Sequence, residues 1–188
     1  DLGFQQLQHL QFYAKLILNR KGNSELKNES KIIFSEAQDE YALNMDRSNS
    51  IMVLRSAAYM NWRYNEHPHA SYYSFAPEQN KKTMGNVVLR AVEIKGIKQL
   101  LIMEFHAKNK AVEKQLMSYI KKIALLERCS LAGMFSTKIQ RPSFFTTGFM
   151  QLPSFVIPKK QILMGINANR KPIQNKNWFC QTGDWDAF

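Results

Sequence analysis

Glu104 stands near the end of an apolar run, Lys98–Phe105, and a carboxylate among apolar neighbours can act as a general base toward an amine once its pKa is raised. The commoner fate of such a group is an ion pair, here with Arg63 or a nearby lysine. His106 is read as facing the opposite side of the strand, outside a dyad with Glu104. His67 and His69 flank Pro68 and could ligate a metal, but no third ligand is near in sequence, so a turn is expected and no metal site. Trp62, Arg63 and Tyr64 are adjacent on a helix and point about 100° apart. Trp62 is expected in the core, with Arg63 and Tyr64 toward a substrate and Arg63 alternatively toward a neighbouring domain. Trp178, Asp184, Trp185 and Asp186 place rings beside carboxylates, a composition suited to stacking and hydrogen bonding a sugar or amine; a polar cap on a last strand is the plainer reading. Sequence signatures of serine hydrolases, P-loops and dinucleotide folds are absent.

The elements that would position these groups follow from spacing. Residues 1–20 alternate loosely and favour a strand, and residues 21–30 are polar and read as a linker. Lys31–Phe34 is a short strand. Ser35 with Gln38 has capping-box spacing and opens a helix through about Met45. Ser56 caps a second helix that must stop near His67-Pro68. Ser71–Ala76 and Asn86–Glu93 read as strands joined through a turn after Pro77, and Gly96 marks the turn into a third, Lys98–Phe105, apolar enough to be central. Ala111–Arg128 is the clearest helix, with Val112, Leu116, Ile120, Ile123 and Ala124 on one face. Leu131–Phe135 is a strand, Ser143–Thr147 a short helix, and Phe155–Ile166 and Asn177–Thr182 are final strands. The fold class is α/β (α+β), a mixed and mostly antiparallel central sheet flanked by helices.

The 188 residues fit one domain, or one domain with an arm, and 45% hydrophobic with 22% charged residues excludes disordered and fibrous classes. No apolar run reaches membrane-spanning length. Two cysteines, Cys129 and Cys180, are too few for a disulfide scaffold, so a reducing cytoplasm is expected. The chain begins with Asp1 and no leader pattern follows, so the start is read as processed or cut. Between Phe105 and Lys176 stand 13 Lys or Arg against Glu113 and Glu127 alone, which accounts for the whole net charge of +11. Such an excess can draw phosphates, nucleic acid or an anionic surface, or be a solvated face.

Three strings, in this element order, resemble the GNAT superfamily of acyltransferases. Tyr59-Met60-Asn61-Trp62-Arg63-Tyr64-Asn65-Glu66-His67-Pro68 looks like the "NWRY…HP" segment of a bacterial subgroup, Ser143–Phe149 is similar to the "FYxxxGF" ending, and Trp178–Asp186 resembles a "GDxD" tail. Leu2–Leu7 also echoes Thr147–Leu152, and each leads to an Asn-Arg-Lys string. The subgroup often carries tandem halves, so residues 1–20 are expected to be the last strands of a preceding half, with 21–30 a linker and 31–188 a GNAT-like domain.

The resemblance implies transfer of an acyl group from acetyl-CoA or another acyl-CoA to the amine of a small molecule or amino sugar. The donor would lie where the central strand splays from its neighbour, with Glu104 as the base. Its pyrophosphate would sit on Phe105, His106, Ala107, Lys108, Asn109, Lys110 and Ala111. That stretch has no glycine, so Lys108 and Lys110 would supply charge, and Phe144 stands where the superfamily has its acid tyrosine. The resemblance therefore implies that two expected catalytic features are absent from this half. Two further readings keep the fold: a Fem-type half using aminoacyl-tRNA, which would employ the basic stretch, and a non-catalytic binding module.

Overall fold

The computed structural model describes residues 5–18, 33–44, 50–137, 147–153, 162–165 and 177–184. The expected linker 21–30, the residues of the short helix up to 146, and Trp185 and Asp186 lie outside the described residues. Strands β1 (Gln5–His9) and β2 (Gln11–Leu16) precede helix α1 (Glu36–Asn44), strand β3 (Ser50–Ile51) and a short helix α2 (Ala57–Met60) that runs on as a π-helical turn, Asn61–Asn65. Strands β4 (Tyr73–Phe75), β5 (Glu78–Gln79), β6 (Lys82–Thr83), β7 (Gly85–Ile94) and β8 (Ile97–Ala107) lead into helix α3 (Lys110–Leu126). Strands β9 (Leu131–Ser136), β10 (Met150–Gln151), β11 (Ile162–Gly165) and β12 (Asn177–Trp178) follow, before a 3₁₀ turn at Thr182–Asp184.

Among the described residues the main sheet has six strands in the order β10-β2-β9-β8-β7-β4, and only the β8–β9 pair is parallel. The expected mixed, mostly antiparallel sheet is therefore present. Lys95 and Gly96 both take positive φ, +52° and +75°, which builds the tight hairpin between β7 and β8. Asn109 caps α3 by accepting from the Val112 amide at 3.0 Å, and the predicted face of Val112, Leu116, Ile120, Ile123 and Ala124 is buried against the sheet. Residues 11–16 are integral to the sheet, pairing antiparallel with β9 from Gln11↔Ser136 to Leu16↔Leu131.

Two features of β8 prepare the site. The β7–β8 register slips between Val88↔Glu104 and Leu89↔Ile102, making Met103 an extra residue in β8 and a bulge. Met103 packs with Tyr64 on the side of the sheet that also receives Glu104. The β8–β9 ladder pairs only Gln99↔Leu131, Leu100↔Ala132 and Leu101↔Gly133, and beyond Leu101 the two strands part to form a fork.

Candidate functional site

The open end of the fork is filled by the chain's own residues 179–184. The side chain of Gln181 reaches into β8 as a strand neighbour would: its Oε1 accepts from the Phe105 amide at 2.8 Å and its Nε2 donates to the Phe105 carbonyl at 3.1 Å. On the other prong, Thr182 Oγ1 accepts from the Phe135 amide at 2.9 Å, and Gln181 bridges to Ser136. Thr137 and Cys180 complete the seam: the Thr137 amide donates to the Cys180 carbonyl at 3.1 Å, and the Cys180 amide to Thr137 Oγ1 at 2.8 Å. The strap thus satisfies backbone groups that the splayed strands cannot offer each other.

A buried polar cluster pins this strap. Arg55 is 1% exposed and its guanidinium spends its fork on two carboxylates: Nε donates to Glu104 Oε2 at 2.6 Å, and Nη2 to both oxygens of Asp184 at 2.9 and 2.8 Å. Its third nitrogen donates to the Val53 carbonyl. Tyr64 donates to the other Glu104 oxygen at 2.7 Å, and His106 Nε2 lies 3.2 Å from Glu104 Oε2. Arg63 donates to the Gly183 carbonyl at 3.2 Å, and Asp184 Oδ2 accepts from the Gln181 amide at 2.7 Å.

The charges follow from these contacts. Burial alone would raise the Glu104 pKa, but Arg55 and His106 outweigh it and hold the carboxyl down at about 2. Burial and the Glu104 charge push Asp184 up against the pull of Arg55. Burial lowers His106, keeping its ring neutral, and burial with Glu104 lifts Tyr64 well above the ordinary phenol. Glu104 is thus a fixed anion, the reverse of the raised carboxyl that a general base requires.

Sequence reasoning named Arg63, Tyr64, Glu104 and Asp184, and the structure brings all four together. Three expectations change. Glu104 pairs with Arg55 and not with Arg63, which turns to Gly183. His106 shares the Glu104 face, because residues two apart on a strand project to the same side. Trp62 is 61% exposed beside Tyr59, since Met60 and Tyr64, four apart, occupy the inward face.

The loop residues divide between two elements. Phe105, His106 and Ala107 end β8, while Lys110 and Ala111 open α3. The Lys108 amide donates to the Met84 carbonyl at 3.0 Å, and Asn109 is the cap. Trp178 lies in β12, paired with Ile51 of β3. His67 and His69 form a turn, the His69 amide donating to His67 Nδ1, and no metal-ligand cluster occurs among the described residues. No helix among them is long and apolar enough to cross a membrane.

Arg55, Gln181 and Thr182 were not read from the sequence. The available signal for Arg55 was a lone cation closing the apolar run Ile51–Leu54. Support for it comes from α1: Gln38, expected to close a capping box, instead donates its side-chain amide to the Arg55 carbonyl at 3.0 Å, and Asp39 accepts from the Ala57 amide.

No protein-family model matches the sequence, and no curated protein matches it. Solved structures do. A GCN5-related N-acetyltransferase from Anabaena variabilis ATCC 29413 aligns with a TM-score of 0.55 at 9% identity, covering 87% of this chain and 41% of that one. A conserved protein of unknown function from Enterococcus faecalis V583, described as a probable N-acyltransferase, aligns with a TM-score of 0.56 at 12% identity, covering 87% and 40%. The chain therefore has the GNAT fold and spans about two fifths of the length of each of these neighbours.

Proposed function

We propose that this chain is the acceptor-side half of a GNAT-type N-acyltransferase. The whole protein would move an acyl group from acetyl-CoA, or another acyl-CoA, to an amine of a small molecule or amino sugar. The carrying observation is the filled fork: Gln181 takes both backbone groups of Phe105, where the resemblance implies that a donor would lie. The pyrophosphate stretch supports the same reading, since its Lys108 amide and Asn109 side chain already serve the fold. The donor then belongs to a preceding half, consistent with neighbours that are more than twice this chain's length.

A thermal-shift titration with acetyl-CoA tests this. Ligand at a hundred times its dissociation constant stabilises by about 2.7 kcal/mol, roughly 5–11 °C in Tm for a chain of this size. The expected result is no saturable rise for this chain; a rise of that size would place a donor in its own fork and overturn the reading. The ionised, paired Glu104 favours a second reading, a non-catalytic binding module, and acyl transfer by the full-length protein would remove it.

A further inference from the structure

Asn86 and His106 face each other as direct register partners across the β7–β8 ladder, and both are buried, at 0% and 1% exposure. Among the described residues, Asn86 Nδ2 and Oδ1 and His106 Nδ1 find no hydrogen-bond partner. Native interiors seldom leave such atoms unmet, and here three belong to two adjacent side chains. Phe179 of the strap packs against His106, its ring centroid 5.7 Å from that of the imidazole, with the Arg55 guanidinium 5.7 Å away over the same ring.

The imidazole tautomer follows from its other edge. Glu104 is ionised and can only accept, so His106 Nε2 carries the proton and Nδ1 is a bare lone pair. The pair therefore offers two acceptors, Nδ1 and Asn86 Oδ1, and one donor, Asn86 Nδ2. A primary amine with a hydroxyl on the next carbon is complementary on all three counts.

We propose that Asn86 and His106 form an anchor for the amine of a small amino alcohol, amino sugars included. The amine donates to His106 Nδ1 and Asn86 Oδ1, the adjacent hydroxyl accepts from Nδ2, and Phe179 turns aside to admit it. Naming this ligand as the acyl acceptor rests on the function proposed above; the binding itself does not.

The test is an NMR titration of the chain, with ¹⁵N-labelled histidine, by ethanolamine at neutral pH. Choline, equally charged and hydroxylated but without an N–H, is the control. The Nδ1 resonance of His106 should move saturably with ethanolamine and stay still with choline. Asn86→Ala removes both Asn86 contacts and should weaken binding by more than about tenfold, since one hydrogen bond to a charged group alone accounts for that much. No saturable movement, equal movement with choline, or a slowly exchanging water that remains beside His106 at saturating ethanolamine would each overturn the proposal. The wild-type titration decides alone should Asn86→Ala not fold, and Asn86→Ser supplies a milder variant expected to bind more weakly. Acetyl-CoA takes no part, so this result and the CoA result can fail separately.

Discussion

The two ends of the β8–β9 pair are held by different physics. At the closed end, Leu100 and Leu101 are laddered to Ala132 and Gly133, and Leu100 and Ala132 pack into the apolar core with Leu116 and Ile123 of α3. At the open end nothing apolar could satisfy the parted backbone, so Gln181 and Thr182 do it with hydrogen bonds, and the charges of Arg55, Glu104 and Asp184 hold that strap in place. Burial of area is tolerant of shape and indifferent to pH, whereas a buried ionic seam depends on every member being present. The closed end should therefore survive changes that open the other.

Arg55→Ala should have the largest effect. It strands the buried Glu104 charge, and breaking such a pair costs about 3–5 kcal/mol, readable in urea denaturation. Hydrogen exchange would sharpen the contrast, with the Phe105 and Phe135 amides losing protection while Leu100 keeps its own. Equal loss at both ends would remove the distinction between them. Gly183→Ala comes next, because a Cβ there would collide with Tyr64 Oη and meet Glu104 Oε1 at 2.7 Å. Overpacking of this kind costs roughly 1–3 kcal/mol, and the strap should lift without disturbing α3, which circular dichroism and strap-specific exchange would separate.

The smallest effect is a pH slope. His106 is lowered from 6.5, so its contribution is full above that value and is lost as pH falls through its folded pKa. The slope cannot exceed one proton, about 1.36 kcal/mol per pH unit, and Asp184, shifted upward, offsets part of it because acid favours its folded form. Urea midpoints across mildly acid pH should fall for the wild type and flatten in His106→Asn. Below 4.5 a second limb belongs to Glu104, whose stabilisation is lost as pH falls toward about 2.

Sequence patterns revealed the closed end well and the open end in part. The α3 face is a run of apolar residues at helical spacing, and Gly96 announces its hairpin, because both are local rules. Glu104, Tyr64 and Asp184 stood out by type, yet the residue joining two of them, Arg55, is 49 positions from Glu104 and 129 from Asp184. Gln181 is 76 residues from Phe105 and looks locally like any polar tail residue. Trp62 shows the limit of adjacency: three neighbouring side chains do not set a helix phase, while the Met60–Tyr64 spacing does.

The distance between Arg55 and Asp184 also sets an order in time. A chain made at about 5–20 residues per second presents Arg55 and Glu104 for several seconds before Asp184, 129 residues after Arg55, exists to meet them. The hairpin and α3 can consolidate in that interval, since their contacts are local. The cation, the parted strand edge and the fork must wait in water, open to any chaperone or stray strand. Closure by the strap thus comes after the hairpin and α3 have formed, and it is the step at which the fork ceases to be open to other strands.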